Sequence, residues 1–233
     1  MWYNIPAMNL EAHTLKSYDG QLAQLSTLVA RMVAELRKLV RASREAFRSR
    51  DEARIADAKA ADKIINQLDV EIEEAAAVVL ALQNPMAVDL RFVISVLKIT
   101  GMLEQAGDMA KNTVKRSVRM GTYASEDAIT RLEKMADVID ELLSDALTAF
   151  ETRDVGLATQ VWKRDDEIDD LYKEVITLMQ EEIAGSKDRI APCTHVMFAA
   201  KNLERLADYA TNLAKTVYYI NSGKRADKSI LQD

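Results

Sequence analysis

Apolar residues recur along most of the chain at spacings of three, four and seven, the period of an amphipathic α-helix. Near the N-terminus the pattern runs through Leu15, Leu22, Leu25, Val29, Met32, Leu36 and Leu39. It is interrupted at Asn84-Pro85 and at Gly121, Gly185 and Gly223, which are typical helix ends. The pattern predicts six long helices, over about residues 10–48, 52–83, 87–120, 126–152, 155–184 and 188–221.

The chain also repeats itself. Residues 103–115 read LEQAGDMAKNTVK and residues 203–215 read LERLADYATNLAK, and upstream AFRSRD at 46–51 returns as AFETRD at 149–154. The offsets of 100 and 103 indicate two copies of one three-helix unit. We therefore expect an all-α fold of two tandem three-helix bundles related by a pseudo-two-fold axis. The bundles are expected over 10–121 and 122–223, with a frayed tail at 224–233.

Composition narrows the classes of function. The net charge is −6 without a long basic run, so we expect no binding to nucleic acid. The longest uncharged stretch, residues 75–88, is too short to cross a bilayer, and no signal peptide is recognised. The single cysteine, Cys193, fits a reducing compartment. These features predict a cytoplasmic protein without direct membrane insertion.

Two ladders of oxygen-bearing side chains lie within the repeated phrase. Residues spaced by four share one helix face, and the ladders are Glu104, Asp108 and Asn112 in the first copy and Glu204, Asp208 and Asn212 in the second. At about 100° per residue, both ladders point away from the apolar stripe of their helix. We therefore expect these side chains on the outside of each bundle. For one isolated copy a solvated face would be the simpler interpretation, but duplication in the same register favours a binding role.

The repeat offset of 103 extends this match to the preceding helices, where it aligns Asp62 with Asp165 and Asn66 with Asp169. If adjacent helices bring the acids together, the carboxylates repel one another unless a cation binds. Ligands that are all oxygen suit iron, manganese, magnesium or calcium. The sequence therefore predicts bound divalent or trivalent metal ions. The candidate ligands are Glu104, Asp108, Asn112, Glu204, Asp208, Asn212, Asp62, Asn66, Asp165 and Asp169.

At these residues the chain resembles the PhoU family of phosphate-transport accessory proteins. The resemblance rests on Leu203, Glu204, Arg205, Asp208, Ala210, Thr211 and Asn212, on Pro85, Ala87, Asp89, Leu90, Arg91, Glu104 and Asp108, and on His13, Ser17, Tyr18 and Asp19. It implies paired three-helix bundles that carry metal clusters. It also implies a cytoplasmic regulator that represses the phosphate-starvation response by contacting a sensor histidine kinase and the ATPase subunit of the phosphate importer. A homodimer is expected from the resemblance and from the apolar excess of the third and sixth helices.

The chain departs from the family pattern at Gln105, Tyr209 and Asn66. Because Asn66 replaces an expected aspartate, formal charge predicts a weaker metal site in the first half. Two other functions stay open beside a non-catalytic adaptor. A di-iron carboxylate enzyme is disfavoured, since it needs Glu-x-x-His and the matching positions hold Gly107 and Ala207. The other is a metal-free helical scaffold.

Overall fold

The computed structural model describes residues 10–121 and 124–227, with side chains from Tyr18 onward. Its described part is almost entirely helical and contains no strand. Seven α-helices lie in it, and a short 3-10 turn, Lys187–Arg189, precedes the last. They are α1 (Leu10–Ser49), α2 (Ala53–Gln83), α3 (Ala87–Arg119), α4 (Glu126–Thr152), α5 (Val155–Lys163), α6 (Asp165–Gly185) and α7 (Ile190–Ser222). The all-α prediction is confirmed, and most helix ends fall within two residues of those expected.

One expected helix, over 155–184, is instead two. The chain tightens at Arg164, whose amide donates to the Val161 carbonyl at 3.2 Å, three residues back rather than four. Arg164 also anchors this turn through its side chain, which pairs with Glu141 on α4 at 2.8 Å. Neither glycine nor proline marks the break, so the sequence pattern gave no signal of it.

The duplicated Arg-Asp echo encodes a turn. Arg50 and Arg153 close α1 and α4 in the left-handed region, with φ of 52° and 59°. The aspartate that follows each arginine then accepts a backbone hydrogen bond at the start of the next segment: Asp51 from the Ala53 amide, and Asp154 from the Leu157 amide. Each echo thus reverses the chain in a few residues, which makes the first and second helices of each repeat antiparallel neighbours.

The two repeats share one hydrophobic core. Within the first repeat α1, α2 and α3 pack on one another, and α4 to α7 do the same in the second. Between repeats, α3 packs extensively along α7, and α1 packs along α4. These four helices form a central ring, with α2 outside on one flank and α5 and α6 on the other. The buried apolar residues of both repeats form a single continuous cluster, so the repeat boundary near residue 122 separates two sequence copies within one core.

Opposite charges line the interface between α1 and α4. Arg37 donates through Nε and Nη2 to both carboxylate oxygens of Asp140, at 2.8 and 3.1 Å. Arg48 binds Glu133 in the same forked way, and Arg44 pairs with Asp137. Residues 37 and 140 are separated by 103, the repeat offset, so they are equivalent positions that meet where the antiparallel helices cross. At this one matched position the two repeats therefore carry opposite charge.

Candidate functional site

The two acid ladders lie on the outer faces of α3 and α7. Asp108 and Asp208 are exposed, and Glu104, Asn112, Glu204 and Asn212 are half-buried. The neighbouring apolar positions Leu103, Ala106, Leu203 and Leu206 are buried. The ladders therefore point away from the core, as the pattern of apolar residues predicts.

In the first repeat, acids from α2 and α3 approach one another and form what we call the first acidic cluster: Asp62, Asp69, Glu104 and Asp108. Asp62 is only 8% exposed. Lys111 lies between the two helices and donates to Asp62 Oδ2 at 2.7 Å and to Asp108 Oδ1. The other oxygen of Asp62, Oδ1, is buried and has no hydrogen-bond partner among the described residues.

The other acids of this cluster disfavour the charged form of Glu104. The pKa of Glu104 is raised first by burial and then by Asp108, Asp69 and Asp62, and only Lys111 opposes the shift. Burial, and then the charge of Glu73, raises the pKa of Asp69. When these side chains are ionised, their negative charges repel one another, and a bound cation would reduce that repulsion.

Asp69 joins the first cluster although it is not among the candidate ligands that the sequence predicts on α2, Asp62 and Asn66. The structure places Asn66 at an exposed position on α2, whereas Asp69 influences Glu104. Asp69 stands seven residues after Asp62, and residues seven apart share one helix face. The seven-residue spacing from Asp62 could therefore have identified Asp69. The comparison of the two repeats could not, because the residue equivalent to Asp69 in the second half is Tyr172.

The second acidic cluster consists of Asp165, Asp169, Glu204 and Asp208, from α6 and α7. The pKa of Asp208 is raised by partial burial of its carboxyl group and by Glu204 and Asp169, while Lys201 and Lys215 oppose the rise. Burial also raises the pKa of Asp165. The charge of Lys215 opposes this rise, and the charges of Asp208 and Asp169 add to it. Adjacent helices thus bring the acids of each half together, as the repeat offset suggested.

The clusters differ in how their charge is balanced. Lys111 bridges α2 and α3 in the first, and its equivalent 100 residues later is Thr211, whose hydroxyl donates to the Asp208 carbonyl at 3.0 Å. In the second cluster the Lys201 ammonium group lies 2.6 Å from a carboxylate oxygen of Glu204, three residues later on the same helix. Lys215 lies 4.8 Å from the centre of the Trp162 ring. Among the described residues, a lysine that hydrogen-bonds to acids on both helices is found only in the first cluster, whereas Lys215 acts on Asp165 of α6 and Asp208 of α7 through its charge.

Within residues 18–121 and 124–227, no three acid, histidine or cysteine side chains are grouped closely enough to hold a metal ion as they stand. Cys193 and His195 join neither cluster: the Cys193 thiol lies 3.7 Å from Glu182, and burial raises its pKa. Nor, among the described helices, is there one with the length and apolar character needed to cross a membrane.

The repeat and the acid ladders coincide with a known domain. A model of the PhoU domain matches the chain twice, over residues 29–117 and 132–217. The two matches start 103 residues apart (132 − 29) and end 100 apart (217 − 117), the same offsets as the sequence echoes.

The similarity extends over most of the chain. The chain is 38% identical over 213 residues to a phosphate-specific transport system accessory protein PhoU homolog from Caulobacter vibrioides, covering 91% of this chain and 93% of the relative. A homolog of the same description from Zymomonas mobilis is 34% identical, with coverage of 91% and 90%. The crystal structure of PhoU from Pseudomonas aeruginosa has a TM-score of 0.84 at 25% identity, covering 89% of this chain and all of that one.

Proposed function

We propose that this chain, which belongs to the PhoU family, represses the phosphate-starvation response when phosphate is plentiful. One observation carries the proposal: both repeats match the PhoU domain, and the similarity to the Caulobacter vibrioides accessory protein covers nearly the whole of each chain. The relatives are named accessory proteins of phosphate transport, and we extend that role to this chain.

The role we assign is that of an adaptor without catalytic activity. Its partners in this proposal are a phosphate-responsive sensor histidine kinase and the ATPase subunit of the phosphate importer, both met in the cytoplasm. Two similar repeats joined by one core give a single body with two related faces. Such a body is suited to holding two partners together.

Self-association is part of the same proposal. Large apolar side chains are exposed on the helices with the expected apolar excess: Ile94 on α3 is 47% exposed, and Phe198 on α7 is 50% exposed. A second copy of the chain would remove this surface from water. Light scattering at micromolar concentration should then detect a homodimer, and a monomer throughout the range would contradict this part of the proposal.

We further propose that the acidic clusters bind metal ions through oxygen ligands. Two observations support the fit: burial and neighbouring carboxylates raise the pKa of Glu104 in the first cluster and of Asp165 and Asp208 in the second, and one oxygen of Asp62 and one of Asp69 are buried without a partner among the described residues. Iron, manganese, magnesium or calcium would suit such ligands. Asp165, Asp169, Glu204, Asp208 and Asn212 would hold the ion in the second half, and Asp62, Asp69, Glu104, Asp108 and Asn112 in the first.

The two halves should bind metal unequally. Lys111 already supplies a positive charge to Asp62 and Asp108, at the place where a metal ion would neutralise them. The second cluster has Thr211 at the matching position and so has no such bridge. We therefore expect the second half to bind metal more tightly. The replacement of an aspartate by Asn66 in the first half predicts the same order from formal charge.

Metal analysis of protein purified without chelator or nickel resin tests the sites. Changing Glu204 and Asp208 together to Ala should remove most of the metal, while changing Glu104 and Asp108 should remove little. Both pairs lie away from the core, so the helices should persist in circular dichroism. Asp57→Ala with Glu74→Ala is a matched control, since both acids are exposed on α2 outside the clusters. Equal metal content in the quadruple variant and the wild type would refute the assignment.

A phosphate-regulated reporter tests the function itself. Deleting the gene should leave the starvation response active in high phosphate, and the wild-type chain should restore repression. If the Glu204/Asp208 variant loses metal yet restores repression, the metal site stands but does not serve signalling. A deletion that leaves the reporter repressed would contradict the proposed function.

A further inference from the structure

Where α3 ends and α7 begins, three basic side chains gather, and we call them the basic cluster: Arg116, Arg119 and His195. The two helices are antiparallel, so the last turns of α3 lie beside the first turns of α7. Contact across the interface is direct, because the guanidinium carbon of Arg116 lies 4.3 Å from the centre of the Phe198 ring. The cluster lies outside both acidic clusters and shares no residue with them.

The cluster contains hydrogen-bonding groups that have no partner within the described part of the chain. Arg116 Nε and His195 Nδ1 are both buried without a hydrogen bond there. Neither arginine forms an ion pair with a described carboxylate, in contrast to Arg37, Arg44 and Arg48 of α1. Buried polar groups without partners are costly, and an ion or ligand that accepts their hydrogen bonds would remove that cost.

The charges of the cluster act on one another. The pKa of His195 is lowered by burial and then by Arg116 and Arg119. Burial and the charge of Arg119 lower the pKa of Arg116 as well. Each shift disfavours positive charge, and no acid appears among its causes. An anion placed here would oppose all of these effects at once.

A helix end alone does not account for the cluster. Basic residues in a last turn interact favourably with the helix dipole, which suffices for the exposed Arg119. It does not suffice for a buried Nε on Arg116. The Arg116 guanidinium carbon lies over the Phe198 ring, and the contact with the ring leaves its Nε without a hydrogen bond among the described residues. A guanidinium group presents several N–H donors in one plane. That fork is the arrangement in which arginine binds oxyanions with two hydrogen bonds.

Comparison of the repeats shows that the cluster is not imposed by the fold. With the offset of 100, Thr216 and Tyr219 stand where Arg116 and Arg119 do, and Ser95 stands where His195 does. Those equivalents line an open cavity of about 510 Å³. The same backbone packing is thus achieved with other residue types at these three positions, although Lys98, Lys215 and Arg225 also line that cavity.

We propose that Arg116, Arg119 and His195 bind a phosphoryl dianion, either as free phosphate or as a small phosphate ester. Two guanidinium groups supply charge and forked donors, and the imidazole supplies a further nitrogen at their edge. A tetrahedral oxyanion with several acceptor oxygens can satisfy all three side chains together. The site is independent of the metal proposal, since Arg116, Arg119 and His195 belong to neither acidic cluster.

The histidine content makes the test direct. The chain has only two histidines, His13 and His195, so His195→Gln assigns their ring proton signals in NMR spectra of the full chain. Inorganic phosphate, titrated at constant ionic strength in chloride, should shift the His195 signal saturably and leave His13 in place. Arg116→Met should weaken this binding by about tenfold or more, as expected for a lost charged hydrogen bond. Lys59→Met, which removes one charge from an exposed site on α2, should leave the affinity unchanged.

Additional arms separate the alternatives. Arg119→Gln changes an exposed residue and should also weaken binding, which keeps the test valid if Arg116→Met fails to fold. Phenyl phosphate, run beside inorganic phosphate, shows whether the site takes an ester or the free ion, and either outcome supports the proposal. A His195 response that is not saturable, or equal weakening by Lys59→Met, would overturn it. So would unchanged binding in a folded Arg116→Met or Arg119→Gln variant.

Discussion

At the scale of single residues, Lys111 distinguishes the two acidic clusters. Its side chain is 15% exposed, and its ammonium group forms ion pairs with two carboxylates on different helices. The second repeat has Thr211 in its place, and there Lys201 pairs with Glu204 on the same helix while Lys215 acts on Asp165 and Asp208 through its charge. The first cluster thus has a cation hydrogen-bonded between its two helices, and the second does not.

Replacing this lysine should lower stability in a way that metal can reverse. Lys111→Met leaves Asp62 buried without its partner, and the expected cost in metal-free buffer is about 1–3 kcal/mol. Added manganese or magnesium should recover part of that loss by binding the acids released. Denaturant unfolding with and without the ion measures both effects. Lys115→Met is the control, since Lys115 has only a 3.4 Å contact with Asn112.

Tyr18 gives a prediction about pH. Its hydroxyl donates to Asp89 Oδ2 at 2.9 Å, and burial followed by this bond raises its pKa from 10.0 to about 12. A raised pKa means that the folded state keeps the proton that the unfolded state loses above pH 10. The bond therefore stabilises the protein at neutral pH and ceases to do so as pH rises from 10 towards 12.

Tyr18→Phe should accordingly lose about 1 kcal/mol at pH 7. The gap between wild type and variant should shrink above pH 10, because the wild type then loses the same contribution. Urea unfolding at several pH values follows that gap. A constant gap up to pH 11 would show that the hydroxyl titrates normally.

At the scale of elements, two glycines of α3 form a matched pair. A methyl group on Gly101 would meet no atom within 4 Å, whereas one on Gly107 would come within 2.9 Å of Ile65 Cδ1 on α2. Alanine favours a helix over glycine by about 0.5–1 kcal/mol. Gly101→Ala should therefore raise the free energy of unfolding by about that amount.

Gly107→Ala should instead lower it. Overpacking typically costs about 1–3 kcal/mol, which exceeds the gain in helix propensity. Thermal unfolding of the two variants side by side compares the effects on one helix. If both variants are equally stabilised, Ile65 moves aside and the contact between α2 and α3 is looser than the structure indicates.

The α1–α4 interface should owe part of its specificity to Arg37 and Asp140. Both side chains are about four-fifths buried and joined by two hydrogen bonds. A double-mutant cycle with alanine should give a coupling energy of about 1–2 kcal/mol, falling as salt is added. The exposed pair Lys173 and Asp170 on α6 should show no measurable coupling. Zero coupling at Arg37 and Asp140 would contradict this role.

At the scale of the whole molecule, the shared core predicts one cooperative unfolding transition. Removing the second repeat would expose the faces of α1 and α3 that pack against α4 and α7. Calorimetry of the full chain should therefore give a single transition whose van't Hoff and calorimetric enthalpies agree. A fragment over residues 10–121 should be unstable alone or should self-associate. Two separate transitions, or a stable monomeric fragment, would show that the repeats are independent domains.

Much of this architecture follows from the sequence. The three-four-seven spacing of apolar residues fixes which face of each helix is buried, and the duplicated phrase reveals the two repeats. The same spacing places Glu104, Asp108, Glu204 and Asp208 on outer faces. These are local properties, because helix geometry relates residues that are close along the chain.

Tertiary structure decided the features that depend on distant residues meeting. The break at Arg164, the role of Asp69 beside Glu104, the bridge from Lys111 to Asp62 and the opposite charges of Arg37 and Asp140 all join different helices. The basic cluster of Arg116, Arg119 and His195 likewise exists only because the end of α3 lies against the start of α7. Periodicity states which way a side chain points from its own helix. Which partner it meets depends on the register and crossing of helices, and only their packing sets those.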